Sequence, residues 1–401
     1  MNIKVLFLGS ATVFAGIYGA QATSTIPEKQ SSIEYVRVCD AYGKGYFYIP
    51  GTETCIRLSG NVRADFSTGD NIDASTNADL ADKNKSYNAK SRLTLVFQSA
   101  SETELGTLRS YARMRAQWAN GKDSITGQLS AAYIELGGFR VGLDSTIFDS
   151  WIGGYGNVFN DDLIAPSGAT RTNFVSYTLN SDTGFSAIAG LELGNNSGDS
   201  KDVYYYIDKD EKIAPIAGGN LPTPSKKITG RMPNVLFGVK FMQAWGGVSA
   251  ITAYDAYYKK MAGKLRLDYN INDRFNIWAV GGYKDNVDYY TADEHDVLSR
   301  HNTTMYANWG GKWAAWAGTT YKVTPQANFN AQISYSAVKT FAASANIAYT
   351  LVPGFVITPE LSYISWNDDR TFTNKSGNKN YQQALNGKHA FQAMIRLQRS
   401  F

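Results

Sequence analysis

Arginines are the residues of this chain best placed to do chemistry. Arg113 and Arg115 stand two positions apart, and Arg63, Arg92 and Arg140 lie in segments of the same alternating texture. A guanidinium stays charged at any physiological pH and presents a rigid fork of donors. Several on one wall repel one another, keep that wall hydrated and orient polar solutes beside it. The acids that could oppose them, Asp149, Asp161 and Asp162, fall within one polar link. Groups for bond-making chemistry are scarce. Three His and two Cys leave little material for a transition-metal site, so neither a metal nor another cofactor is expected.

The elements that must carry these arginines read as strands, because side chains alternate with period 2 along a strand. From Ile56 to Phe66, Ile56, Leu58, Gly60, Val62, Ala64 and Phe66 share one face, and Arg57, Ser59, Asn61, Arg63 and Asp65 share the other. Leu108 to Trp118 repeats this, with Arg109, Tyr111, Arg113, Arg115 and Gln117 on the polar side. Phe275–Tyr283, Phe329–Tyr335, Phe341–Tyr349 and Phe355–Tyr363 each carry Phe and Tyr at their two ends on one face. Strands near ten residues, apolar on one face and aromatic at both ends, are what two membrane interfaces require.

Composition excludes the main competitors. Hydrophobic types make up 43% and charged types 18% of the 401 residues, with 13% aromatics, and mean hydropathy is −0.30. That is too polar for a helical membrane protein, and too aromatic with too few charges for a disordered chain. Gly has no three-residue period, which excludes collagen. The formal charge of +4 holds no long run of one sign, so no nucleic-acid partner is expected.

The first 22 residues read as an export signal: Lys4, an apolar run to Gly19, then Ala20-Gln21-Ala22. No later window offers the roughly 20 apolar residues of a spanning helix. The exported chain is therefore soluble, or it crosses a membrane as a closed barrel. Export also favours pairing of Cys39 with Cys55, within an N-terminal segment spanning 23–55, over two free thiols.

The connections alternate in length. Short turns are expected at Ser101–Gly106, Gly137-Gly138, Asn180–Gly184, Trp245–Gly247, Asn270–Arg274, Thr324–Ala327 and Val352–Gly354. Long polar links are expected near Thr68–Lys90, Asn120–Ser130, Thr146–Ala169, Gly194–Arg231, Lys284–Thr303 and Asn367–Lys388, and short ones at Ala256–Met261 and Ala337–Thr340. The pattern predicts an all-β fold: a transmembrane antiparallel barrel of about 16 strands over 56–401, short turns facing the periplasm. A soluble sandwich or propeller would need internal repeats or an apolar second face, and neither is present. The final segment alternates and stops at Phe401, with Phe391, Ala393, Ile395 and Leu397 on the apolar face. A terminal Phe on a last strand resembles the signal read by the outer-membrane insertion machinery. Arg399 falls on the outward side, at an interface where it can snorkel.

The run from Val36 to Gly60, including Cys39-Asp40-Ala41-Tyr42-Gly43-Lys44-Gly45-Tyr46-Phe47-Tyr48-Ile49-Pro50-Gly51, resembles the opening of the alphaproteobacterial general porins. So do Glu104–Tyr111, Ala132–Glu135 with Gly142, and the Arg-Leu-Gln-Arg-Ser-Phe end. The resemblance covers the mature chain in order. It implies a homotrimer of 16-stranded channels in the outer membrane, among its lipids and lipopolysaccharide, with the third loop, Thr146–Ala169, folded into the lumen. In that setting Arg63, Arg92, Arg113, Arg115 and Arg140 face the lumen from the first five strands. Asp149, Asp161 and Asp162 face them across a pore constriction that passes small hydrophilic solutes. An enzyme would need His295, His301 or His389 on an outer strand face beside a Ser, and the register puts none there, so no catalysis is expected. A solute-specific channel and a surface anchor or adhesin acting through long outer loops, such as Gly194–Arg231 with Tyr204-Tyr205-Tyr206 and Lys226-Lys227, are the alternatives.

Overall fold

The computed structural model describes residues 37–401 except 75–79, 83–85, 167–170, 194–203, 208–212, 216–231, 257, 286–288, 293–297, 302–303, 369–370, 374–379 and 383–384. The export signal lies outside the described residues, as does most of the 194–231 loop.

Sixteen antiparallel strands form the wall. In chain order they are β1 (Cys55–Gly69), β2 (Tyr87–Thr103), β3 (Gly106–Ala119), β4 (Lys122–Leu136), β5 (Phe139–Asp144), β6 (Thr172–Asn180), β7 (Phe185–Glu192) and β8 (Asn234–Gln243). They continue as β9 (Gly246–Asp255), β10 (Lys260–Asn272), β11 (Phe275–Lys284), β12 (Trp313–Thr324), β13 (Ala327–Ser336), β14 (Thr340–Val352), β15 (Phe355–Trp366) and β16 (Lys388–Ser400). Each strand pairs with its neighbours in sequence, and β1 pairs with β16 from Asn61↔Ser400 to Gly69↔Gln392. That seam removes both free edges, so every strand of the wall has a neighbour on each side. A sheet in hydrocarbon needs this, because lipid offers backbone groups no hydrogen bonds. No helix among the described residues is long and apolar enough to cross a membrane.

The register sorts the residues as the alternation predicts. Leu58 and Phe66 are 52% and 50% exposed on the outer face, with Val62, Leu265, Leu267, Ile333 and Leu361. Facing inward are Asp65, Thr94, Lys264, Arg266, Asn330, Asn346 and Glu360, all buried. An apolar outer surface this continuous marks a membrane face. Aromatic rings meet across neighbouring strands at both rims. Phe275 lies 5.8 Å from Tyr321 at the turn end. Trp313 lies 5.9 Å from Tyr335, and Phe341 6.4 Å from Tyr363, at the loop end.

One connection differs from expectation. Asn120–Ser130 is not a long link. β3 and β4 are joined by Asn120-Gly121 alone, and β4 starts at Lys122. Both turn residues have positive φ, 52° and 83°, which a two-residue turn matched to sheet twist requires. Asn120 Oδ1 accepts from Ala89 N–H (3.0 Å) and its Nδ2 donates to Asn88 (2.8 Å). The Asn-Gly pair was the available signal. The polar residues Asp123, Ser124 and Gln128 masked it, and they sit where the β3–β4 pairing shifts register between Arg113 and Trp118.

The N-terminal segment is tied by a Cys39–Cys55 disulfide. Phe47-Tyr48 pairs with Ile56-Cys55, and Cys39, Tyr46, Cys55 and Ala100 pack into a small buried cluster. A bridge over 16 positions restricts the unfolded chain by about 3 kcal/mol. Replacing both cysteines by Ser is expected to lower the thermal unfolding temperature while leaving the barrel assembled. An unchanged midpoint would show the tie to be energetically idle.

Candidate functional site

The five sequence-predicted arginines all lie on the inward face of β1–β5. Arg63 and Arg92 are direct cross-strand partners, and Arg113 and Arg115 follow on β3. Arg140 on β5 pairs in register with Glu135 and bonds it at 2.9 Å. Its guanidinium also lies 4.4 Å from the centre of the Tyr133 ring, which stacks on Tyr111 at 4.9 Å. Asp144 sits 3.7 Å from Arg113 and 3.8 Å from Arg140.

A sixth arginine belongs with them. Arg396 of β16 grips Asp65 with two hydrogen bonds, 2.6 and 2.9 Å, and lies 3.6 Å from the centre of the Phe159 ring. Its signal was its parity: counted back from Phe401, it falls on the polar face of the last strand.

The third loop, between β5 and β6, takes its partners from the other side of the wall. It begins with helix α1 (Ile147–Ser150), capped by Thr146, whose Oγ1 accepts from Phe148 N–H. Thr146 then donates to the Glu192 carboxylate at the end of β7 (2.8 Å), which also accepts from Ile147 N–H (2.7 Å) and the Tyr306 hydroxyl (2.9 Å). Trp151 Nε1–H donates to the Val239 carbonyl of β8 (3.3 Å), and the Lys240 ammonium lies 4.1 Å from that ring. On β10, buried Lys264 donates to the Tyr155 hydroxyl (2.6 Å) and the Pro166 carbonyl (3.2 Å), and Arg266 donates to the Gly154 carbonyl. Trp316 on β12 donates to the Ile164 carbonyl (2.9 Å). The Asn346 side chain on β14 donates to the Asn157 carbonyl (2.8 Å).

The loop tip is held hardest. Phe159 N–H and Asn160 N–H donate to the two oxygens of Glu360 on β15, at 2.6 and 2.9 Å. Glu360 is 1% exposed, and Asn346 Nδ2 donates to it as well (2.9 Å). Ile147, Phe148, Trp151, Ile152, Tyr155 and Ile164 pack the loop's apolar side against Ile188, Leu236, Ile251, Trp278 and Trp316. Sequence reasoning missed Glu192, Lys264, Arg266 and Glu360. Each stands at an inward strand position, but nothing in the sequence says that a loop meets it there.

The three acids have different surroundings. Asp149 lies 3.9 Å from Lys264 on β10. The backbone carbonyl of Asp161 accepts from Gln332 of β13 (2.9 Å). The Asp161 carboxyl is pushed up to about 7, first by burial and next by the adjoining Asp162 charge. It is therefore mostly neutral at pH 6 and mostly charged at pH 8. The reversal potential across a salt gradient is expected to move toward cation transfer between these pH values, and Asp161→Asn to make that step smaller. A wild-type potential that does not change with pH would contradict this. The same shift has a stability sign. An unfolded Asp titrates near 3.9, so the folded chain holds the extra proton between about pH 4 and 7, and stability falls as pH rises through that window.

The histidine reading needs correction. His389 does stand on the outer face, directly across from Ser365 in the β15–β16 ladder. Strand parity at the start of β16 brings it there. Its ring contacts Tyr363 at 6.2 Å, and no hydrogen bond joins it to Ser365. His295 and the side chain of His301 lie outside the described residues. Among the described residues, no group of three His, Cys, Asp or Glu side chains could hold a metal.

Comparison with known proteins fits this geometry. The family described as the porin subfamily matches residues 24–394. Porin Omp2b of Brucella suis is 39% identical over 412 aligned positions, and Porin Omp2b of Brucella abortus (strain 2308) 38% over 413; each alignment covers the whole of both chains. Among solved structures, the outer membrane channel DcaP of Acinetobacter baumannii superposes with a TM-score of 0.53 at 14% identity, covering 88% of this chain and 99% of that one. A mutant of the Rh. blastica porin gives 0.50 at 14%, covering 86% and 100%. The chain therefore belongs to the porin subfamily: it is an outer-membrane porin, a channel.

Proposed function

We propose that this porin passes small hydrophilic solutes and ions by passive diffusion, through a constriction between an arginine wall and the third loop. Arg63, Arg92, Arg113, Arg115 and Arg140 bound it on one side, and Asp149, Asp161 and Asp162 on the other. The observation that carries this reading is the division of labour around the wall. The arginines occupy the inward face of β1–β5, whereas the loop's hydrogen bonds from Thr146 to Pro166 go to β7, β8, β10 and β12–β15. Water-filled space between charges of opposite sign carries a transverse field, which favours polar solutes that align in it. An apolar solute must strip ordered water from the guanidinium groups and gains nothing in return.

The working unit is a homotrimer embedded among outer-membrane lipid and lipopolysaccharide. Residues 1–22 direct export. The insertion machinery reads the last strand through Phe401, whose N–H and C=O both pair with Gly60 of β1 (3.0 and 2.9 Å).

Purified trimer in a planar lipid bilayer tests the reading. Current is expected to rise in groups of three equal steps. A folded trimer that carries no current would sink the channel and favour an anchor acting through its outer loops. Current abolished by one sugar at low concentration would favour a solute-specific channel.

A further inference from the structure

The charge balance of the arginine wall is uneven, and the unevenness is local. Asp65 takes both hydrogen bonds of Arg396 and lies 3.3 Å from Arg63 Nε. Glu135 and Asp144 serve Arg140, and Asp144 also faces Arg113. Arg92 and Arg115 are left over. Among the described residues, neither has a carboxylate within ion-pair distance. Arg92 donates only to neutral Gln117, at 2.7 Å.

The surplus groups are neighbours. Arg63 pairs with Arg92 across β1–β2. Arg92 pairs with Gln117, and Thr94 with Arg115, across β2–β3. Arg115 is therefore the diagonal neighbour of Arg92, about 7–8 Å away between backbones. Like charges directly opposite one another in a sheet are destabilising. Here three guanidinium groups crowd on adjacent strands around a single carboxylate that Arg396 already occupies.

We propose that Arg63, Arg92 and Arg115 form a receptor on the lumen wall for a compact dianionic oxyanion, the phosphate group of small phosphorylated solutes. The proposal rests on the channel reading above. Each guanidinium can offer two parallel N–H groups to such an oxyanion. The ligand supplies the counter-charge that the wall lacks, and a one-signed patch on a low-dielectric wall concentrates anions before they touch it. Chloride fills only one fork at a time, so it passes without pausing. Phosphate engages two or three forks and pauses. Arg113 and Arg140, with Asp144 and Glu135 beside them, have less to offer.

The test titrates inorganic phosphate, at pH 8 in potassium chloride, against the current of wild-type trimer in a planar bilayer. The expected result is a saturable fall in current with resolved blocked intervals. Arg92→Gln with Arg115→Gln should raise the half-blocking concentration about tenfold or more, as expected for two lost charge-assisted bonds. Arg113→Gln, which takes one charge from the field but no fork from the receptor, should raise it clearly less than the double variant does. The wild-type titration stands whether or not a variant folds. A conducting wild-type trimer that phosphate does not block saturably overturns the receptor and leaves the channel intact. So does an Arg113→Gln trimer that loses block as fully as the double variant, because a diffuse field then explains the effect. Loss of all current in folded wild-type trimer would instead overturn the channel itself.

Discussion

Glu360→Ala is expected to unfasten the tip of the third loop and turn a quiet channel into a noisy one. The carboxylate is the common acceptor for Phe159 N–H and Asn160 N–H. A hydrogen bond to a charged acceptor contributes about 1.5–3 kcal/mol, so the pair holds the tip by about 3–6 kcal/mol. Removing the acceptor leaves two amide donors unsatisfied and takes away one of the two hydrogen bonds that Asn346 donates, the other going to the Asn157 carbonyl. The Arg396–Phe159 contact and the Asn160–Ser362 hydrogen bond remain, so the tip loosens without leaving the wall. Single-channel recording should show larger open-state current variance and a higher mean conductance than wild type. Glu360→Gln supplies one carbonyl acceptor but points its amide at an N–H, so it should fall between the two. If Glu360→Ala conducts with wild-type noise and wild-type size, the carboxylate is not what fixes the loop.

The second large effect is on ion selectivity. Arg113→Glu with Arg115→Glu changes the lumen wall by four charge units on one strand. A unit charge at about 7 Å in water is worth about 0.6 kcal/mol, and salt near 0.1 M screens part of that. The sum, taken with opposite sign for cation and anion and cut by screening, points to a shift of at least about tenfold in the cation-to-anion permeability ratio, toward cations, read from the reversal potential across a salt gradient. The effect should shrink as ionic strength rises. Arg113→Glu also sets a second carboxylate beside Asp144, which faces Arg113 at 3.7 Å, so part of the added charge will be offset by proton uptake. A reversal potential unmoved by the double substitution would remove β3 from the narrow section.

The wall was legible in the sequence because lipid and water impose a period-2 sorting that each strand must obey by itself. Arg63 sits between Val62 and Ala64, and no register satisfies lipid without turning Arg63 inward. The interior was less legible because loop-to-wall contacts have no period. Glu360 and Phe159 lie 201 residues apart, and nothing local to either reveals the other. Arg396 lay between the two cases. Its face was readable from Phe401, but its partner Asp65 depends on the seam. The β3–β4 turn was hidden by composition, since Asp123, Ser124 and Gly127 look like loop although Asn120-Gly121 had already closed the hairpin.

The seam also governs the order of events in time. The Asp65–Arg396 bond joins residues 331 positions apart. Closing a flexible chain over that length costs about 5 kcal/mol in entropy by the logarithmic rule. Neighbouring hairpins such as β13–β14 form over a few residues and cost far less, so the staves assemble first and the hoop last. A chain stopped before β16 has nothing to give β1, and it presents two unmet edges to every other such chain. The thirteen residues of β16, Lys388–Ser400, are thus the clasp without which none of the earlier work can be kept.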